Sequence, residues 1–418
     1  MKHWLVALAS VVARLADAEP IERISFSDAV KRAIAQNPDR RIALDEIARA
    51  DGLLLQATSA LLPQLAAMAA YTRLEGDRFI NMIRADAANS LLADVAVTAP
   101  IVDFHAIAER HRARDQVGVT SANADSTKRD VAIATARAYF MAYTTSRELD
   151  ITTHARDNAK GHFDYTRQRY EARVGNNLDV KRAEAELATD EADVAAALTA
   201  KKRAEEALGV ITGSDHPLAA AGEPDLGVPH EGSGIASRAD VIASMRAHQA
   251  AVWSAEHDWW DWLPSLRLAG DGFFTAPEIQ PVPRWGYDLA LTLSVPLYDG
   301  GFRRGAHEQH VAVQAEAAER DAATDRQAES DVRVSRVAVD DTQRAREAAK
   351  RAADASEQAL DLAFTGYKAG TATSLEVIDA QRTALDAATR ALLADDDYHQ
   401  AELDLLAATG AFPGDALH

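Results

Sequence analysis

The stretch Trp285-Gly286-Tyr287-Asp288-Leu289-Ala290-Leu291-Thr292-Leu293-Ser294-Val295 decides the fold. Its odd positions carry Trp, Tyr, Leu, Leu, Leu and Val, and its even positions Gly, Asp, Ala, Thr and Ser. A period of two with one apolar and one polar face is the pattern of a β-strand, whose successive side chains point to opposite sides. Leu91 to Ile101 repeats it, with Leu91, Ala93, Val95, Val97, Ala99 and Ile101 on one face and Asp94, Ala96 and Thr98 among the others. A weaker partner precedes each strand: Gln64 to Thr72 is mostly small residues, and Ser265, Arg267, Ala269 and Asp271 alternate with Leu266, Leu268, Gly270 and Gly272. Each strand is about 10 residues long, which is what a tilted strand needs to cross a bilayer. Two soluble hairpins with one face on a core would read the same way. The neighbouring helices are too polar to offer that core. Four strands cannot close a barrel alone, whereas three chains would supply twelve and leave no edge.

Outward from the strands, the prolines mark the organisation, because proline interrupts a regular helix. The 13 prolines fall at 20, 38, 63, 100, 217, 224, 229, 264, 277, 281, 283, 296 and 413, leaving 101–216 and 297–412 free of them. Both windows are rich in Ala, Glu, Arg, Gln and Asp and read as very long helix. From Pro100 to the Gly175-Asn176-Asn177 cluster there is room for about 70 helical residues, roughly 105 Å at 1.5 Å per residue. The windows are also alike. Tyr170 matches Tyr367, Asp179-Val180 matches Glu376-Val377, and Thr212-Gly213 matches Thr409-Gly410, all at an offset of 197. Leu62-Pro63 matches Leu263-Pro264, and Ala99-Pro100-Ile101 matches Val295-Pro296-Leu297.

The expected plan is therefore two copies joined by a linker at 214–238. Repeat 1 covers 19–213, with a β-hairpin at about 63–102, a long helix at about 103–173 and a returning helix at about 178–212. Repeat 2 covers 239–412, with a hairpin at about 264–298, a long helix at about 302–368 and a returning helix at about 374–409. A short tail, 413–418, follows. Residues 1–18 read as a secretory signal, with Lys2 and His3 ahead of an apolar stretch from Trp4 to Ala13 and an Ala16-Asp17-Ala18 cleavage site. No other stretch approaches the 18 or so consecutive apolar residues of a membrane-spanning helix.

Composition excludes several function classes. The 418 residues contain no cysteine, which removes disulfide frameworks, thiolate metal sites, cysteine nucleophiles and a lipidated N-terminal cysteine. A formal charge of -19 opposes phosphate-tracking nucleic-acid binding. G-x-S-x-G, Walker, G-x-G-x-x-G and H-E-x-x-H patterns are all absent, so the chain does not read as an enzyme. The 13 histidines are scattered; His307 and His310 could share a helix face, but such a pair is more often surface than ligand, and neither a metal site nor a cofactor is expected. Alanine makes up roughly a fifth of the chain, a bias toward closely packed helices.

The duplicated order carries a resemblance. Leu-Ser-Val-Pro-Leu-Tyr-Asp-Gly-Gly (293–301), Gly-Tyr-Lys-Ala-Gly-Thr-Ala-Thr-Ser-Leu-Glu-Val-Ile-Asp-Ala (366–380) and Leu-Leu-Ala-Ala-Thr-Gly (405–410), together with Asp28-Ala29-Val30 and Asn37-Pro38, resemble the TolC-like outer-membrane efflux proteins. The resemblance covers nearly the whole mature chain. It implies a mainly α fold with a β-barrel part: tandem repeats of long, coiled-coil-like antiparallel helices plus a hairpin. Three chains would form a twelve-stranded transmembrane barrel and a helical periplasmic tunnel. The implied function is the exit duct of a tripartite efflux or type I secretion system. It would lie in the outer membrane of a Gram-negative bacterium, surrounded by outer-membrane lipid, and be opened at its periplasmic tip by an adaptor protein and an inner-membrane pump. A periplasmic coiled-coil adaptor or scaffold is the alternative, and it leaves the four strands unexplained.

The resemblance also assigns residues. Asp179, Tyr367, Glu376 and Asp379 correspond to the periplasmic gate, where Glu376 and Asp379 at i and i+3 would give a trimer rings of carboxylates favouring cations. The basic partner of the family's latch falls on Ala372, leaving a Tyr367–Asp179 hydrogen bond as the expected closure. Val174, Gly175 and Asn176, with Ala369, Gly370 and Thr371, are the two tip turns where an adaptor would dock. Gly175 stands four residues before Asp179 but Gly370 six before Glu376, so either the first turn is shorter or Arg173 takes the glycine's place. Trp259, Trp260, Trp262 and Trp285 are candidates for the aromatic girdle at the membrane interface, although a tryptophan cluster at a helix end equally serves packing.

Overall fold

The computed structural model describes residues 21–80, 83–226, 234–278 and 283–412. The segment read as a secretory signal, part of the linker and the tail lie outside the described residues. In chain order the elements are β1 (Glu22–Ile24), α1 (Phe26–Gln36), α2 (Pro38–Ser59), β2 (Gln64–Arg73), β3 (Arg78–Ile80), β4 (Ile83–Asp86), β5 (Asn89–Val102), α3 (Phe104–Glu171), α4 (Asn177–Ile211), β6 (Leu218–Ala220), α5 (Ala239–Glu256), β7 (Ser265–Ala276), β8 (Trp285–Ser294), α6 (Phe302–Ala369) and α7 (Ser374–Ala408). The two long helices hold 68 residues each and the two returning helices 35 each.

Contacts divide the chain into two compact units, which cut across the sequence copies rather than following them. One holds residues 1–43, 125–241 and 325–418, the other 44–124 and 242–324. The long helices α3 and α6 contribute to both.

The first unit is organised around α1. Ser25 caps it, its hydroxyl accepting from the Asp28 N–H at 3.1 Å, and Asn37 ends it. Pro38 then opens α2, at a position whose missing N–H costs nothing. The Asn37 amide donates to the Ile211 carbonyl at 2.9 Å while its oxygen accepts from the Asp39 N–H at 2.8 Å, so one side chain serves a helix junction and the end of α4. Phe26 packs edge-on to Tyr139 at 5.5 Å and stacks on Phe140 at 5.8 Å. Around them lie Ala29, Ala132, Ala136 and Ala204, with Leu208 and Leu403. Small side chains let these backbones approach closely, which accounts for the alanine bias. β1 pairs in parallel with β6, and the Tyr139 hydroxyl donates to the Gly222 carbonyl at 2.9 Å, fastening the segment after β6.

The second unit carries the sheet. Its four long strands run antiparallel in the order β2-β5-β7-β8, so the inner strands of the two hairpins pair with each other, from Leu91↔Ala276 to Val102↔Leu266. β2 and β8, of 10 residues each, are left as edges. β3 and β4 form a separate two-stranded ribbon within the first hairpin. Pro100 lies inside β5, opposite Arg267. The register shifts between Pro100 and Val102, an irregularity of the kind that accommodates a residue with no ladder N–H. Below the sheet Asp103 accepts from Arg267 at 3.2 Å, His111 stacks on Trp253 at 3.8 Å, and Phe104 meets Trp260 edge-on at 6.3 Å.

Candidate functional site

The turns joining long to returning helices share one geometry. After α3, the Arg173 N–H donates to the Tyr170 carbonyl at 2.9 Å and the Val174 N–H to the Arg169 carbonyl at 2.9 Å. After α6, the Gly370 N–H donates to Tyr367 at 3.1 Å and the Thr371 N–H to Gly366 at 2.9 Å. Both are Schellman closures, which need a left-handed residue just past the helix. Gly370 meets that need with φ 81° and Arg173 with φ 61°. Of the two readings left open by the sequence, the second holds: Arg173 takes the glycine's place. Gly175 has a different reason to be glycine, because a Cβ there would lie 2.9 Å from the Tyr170 nitrogen and 3.0 Å from the Arg169 carbonyl carbon. Val174, Asn176, Ala369, Gly370 and Thr371 are exposed.

The returning helices start on caps. Asn176 accepts from the Leu178 N–H at 3.0 Å. Thr373 forms a full capping box: its hydroxyl accepts from the Glu376 N–H at 3.3 Å, and Glu376 Oε2 accepts from the Thr373 N–H at 2.6 Å. That backbone hydrogen bond, helped by the Thr373 hydroxyl, holds the Glu376 carboxyl below its ordinary range. Glu376 is thus engaged as a cap. Asp379, one turn on, is exposed.

Beneath the turns, Tyr367 is buried. Its hydroxyl lies 3.4 Å from Thr166 Oγ1, and no hydrogen bond joins it to Asp179 among the described residues. Its ring meets His162 edge-on at 5.2 Å and Tyr165 at 5.8 Å, with the Arg169 guanidinium 5.1 Å above it. The ring is thus seated among α3 aromatics. His162 is wholly buried, with Nε2 3.3 Å from the Ser374 hydroxyl and Nδ1 unpartnered. Burial pushes its pKa down to about 4 against the pull of Asp179 and Glu186. Between the returning helices, Arg382 Nε donates to both oxygens of the buried Glu186 at 2.9 and 3.0 Å. Asp190, one turn further along α4, is pushed up to about 6 by burial and then by Glu186. His162, Glu186, Asp190 and Arg382 escaped the sequence reading. Their only mark was a charged or titratable residue in an alanine-rich helix, and dozens of others share it.

The structure divides the tryptophans. Trp260 packs against Phe104, Trp253 and Trp259, whereas Trp259 and Trp262 are exposed, the latter under the Arg303 guanidinium at 5.3 Å. Trp285 heads the odd face of β8, where Trp285, Tyr287, Leu289, Leu291 and Leu293 are all at least 63% exposed. An apolar row this bare on an edge strand demands a cover. No described helix is long and apolar enough to cross a membrane.

Long paired helices capped by Schellman turns, with a sheet bearing a bare apolar face, define a class, and the sequence profile of the outer membrane efflux protein family agrees. It matches residues 29–214 and 235–411, and the chain belongs to that family. Among particular relatives, the chain is 24% identical over 401 residues to the outer membrane protein TolC of Escherichia coli (strain K12), spanning 91% of this chain and 81% of that one. A membrane protein from Pseudomonas aeruginosa has the same fold, with a TM-score of 0.80 at 22% identity, covering 93% of this chain and 91% of that one. The Campylobacter jejuni CmeC outer membrane channel also gives 0.80, at 16% identity, over 92% and 85% of the two chains. The mostly helical architecture with its strands is that of the TolC-like efflux channels.

Proposed function

We propose that the protein is a homotrimeric exit duct. Three four-stranded sheets close into one twelve-stranded barrel in the outer membrane, and the long helices line a periplasmic passage. The observation that carries this reading is the sheet itself. It ends in two free edges of equal length, β2 and β8, each 10 residues long, and its β8 face is apolar and bare. Pairing β8 of one chain with β2 of the next removes both edges, and lipid covers the face. Matching 68- and 35-residue helices and matching Schellman turns support an internal duplication as the origin of the plan.

The duct is a passive conduit, opened at its tips by a periplasmic adaptor docking on the exposed turn residues and coupled to an inner-membrane pump. In the trimer the three Asp379 carboxylates form a ring at the entrance, adjacent to the ring of Glu376 caps. Single-channel recording in planar bilayers tests this. Asp379→Asn together with Glu376→Gln lowers cation selectivity, with most of the effect from Asp379, because Glu376 is already held by its helix. Unchanged selectivity in the double variant sinks the ring.

A further inference from the structure

Away from the tips, four titratable side chains converge in the first unit. His399 and Asp395 lie one turn apart on α7, and Glu223 reaches them from the segment after β6. His399 Nε2 lies 3.4 Å from Glu223 Oε1 and 3.8 Å from Asp395 Oδ2. Both separations are too long for good hydrogen bonds. They are close to the spacing of about 3.4 Å between neighbouring ligands on a tetrahedral cation with bonds of about 2.0–2.2 Å. The imidazole is only 12% exposed, and its Nε2 is shut off from solvent with no hydrogen-bond partner. An imidazole nitrogen that is desolvated, without a hydrogen-bond partner and flanked by two carboxylates is an incomplete coordination set.

The surroundings match what a metal site requires behind its ligands. His399 Nδ1 faces Glu402 Oε2 at 3.4 Å, an arrangement that would turn Nε2 toward a cation, and the Tyr398 hydroxyl donates to Glu402 in turn. Arg346 pairs with the other oxygen of Asp395, leaving Oδ2 free to ligate, and lies 4.9 Å over the Tyr398 ring. With neutral His399, the three carboxylates and one guanidinium leave two negative charges, which one divalent cation cancels.

We infer that His399, Asp395 and Glu223 form a site for a divalent transition-metal cation of the zinc type, with a fourth position open to water. The mixed nitrogen and carboxylate donors suit such a cation better than calcium or magnesium, which favour all-oxygen shells. Bound there, the cation adds a direct tie between the segment after β6 and α7, beside the packing of Leu226 with Leu403 and Leu406.

The test uses the full-length protein in detergent, stripped with EDTA and titrated with ZnCl2 by calorimetry. One Zn2+ binds per chain, and it raises the melting temperature. Glu223→Gln and His399→Gln each weaken binding at least tenfold. Glu223 is 57% exposed, so its substitution leaves the packing intact even where the His399 variant does not fold. Glu329→Gln, which removes the same charge from α6, leaves binding unchanged. Wild-type binding no tighter than that of Glu223→Gln, or a loss in Glu329→Gln as large as in Glu223→Gln, overturns the site and reduces it to general attraction by an acidic chain.

Discussion

Arg173 and Gly370 perform the same turn with different chemistry. A side chain at φ 61° costs about 1 kcal/mol through the approach of its Cβ to the backbone, whereas glycine has no Cβ to clash. A Cβ on Gly370 meets nothing within 4 Å, so Gly370→Ala isolates the conformational cost at about 1 kcal/mol. Arg173→Gly relieves strain but frees the unfolded chain, for a gain of about 0.5 kcal/mol or less. Hydrogen exchange of the 172–177 and 369–374 amides checks both, with faster opening in the first variant and slower or equal opening in the second. Below the turns, pH acts on two buried groups with opposite sign. His162 has a folded pKa of about 4 against 6.5, so its stability contribution is complete above pH 6.5 and is lost as pH falls toward 4. Asp190, at about 6 against 3.8, contributes fully below 3.8 and loses its contribution as pH rises through 6. Between pH 4 and 6 the two largely offset each other. Asp190→Asn therefore exposes the His162 trend, and the protection of the tip amides, corrected for their intrinsic exchange rates, falls as the medium is acidified from pH 6.5 to 4. His162→Gln gives the reverse slope, and flat profiles in both variants refute the pairing.

At the scale of elements, the ends of the long helices were legible in the sequence through its prolines and glycines. The capping box of Thr373 with Glu376 emerges only in the structure, because Glu376 reads from the sequence as a gate residue; Thr373→Ala should cost about 1 kcal/mol in chemical unfolding, while Glu376→Gln keeps the box and costs little. That difference separates the structural role of Glu376 from any role in conduction. The strand pattern around Trp285 was equally plain, since its period of two is maintained over eleven residues. Pro100 falls inside β5, where a shift in register lets the strand continue past it to Val102. The β1–β6 pair is three residues long on each side and carries no period. The Arg382–Glu186 pair and the His162–Ser374 contact join residues about 200 positions apart, and only the folded chain brings them together. The partners of the Tyr367 ring, His162 and Tyr165, likewise lie on α3, which a motif confined to α6 and α4 does not reveal.

For the whole molecule, the sheet sets the requirement that the rest must meet. The helical unit has its own core around Phe26, Tyr139 and Phe140, but the odd face of β8 has no cover among the described residues. In the proposed trimer that face meets lipid and the even face, with Asp288 opposite Asp271, lines the water-filled interior. The two faces therefore respond oppositely to the same charge. Leu291→Arg places a guanidinium against hydrocarbon near the middle of the strand, at about 2–4 kcal/mol per chain and three times over in a trimer. Asp288→Arg places it in water beside the Asp271 carboxylate, where cross-strand attraction favours it. Outer membranes carrying Leu291→Arg should yield little heat-modifiable trimer on gels, with the chain recovered as aggregate. Asp288→Arg should assemble at the wild-type level and extract only with detergent. Equal assembly of the two variants would mean that the apolar row is covered by protein instead of lipid, and the barrel would have to be abandoned.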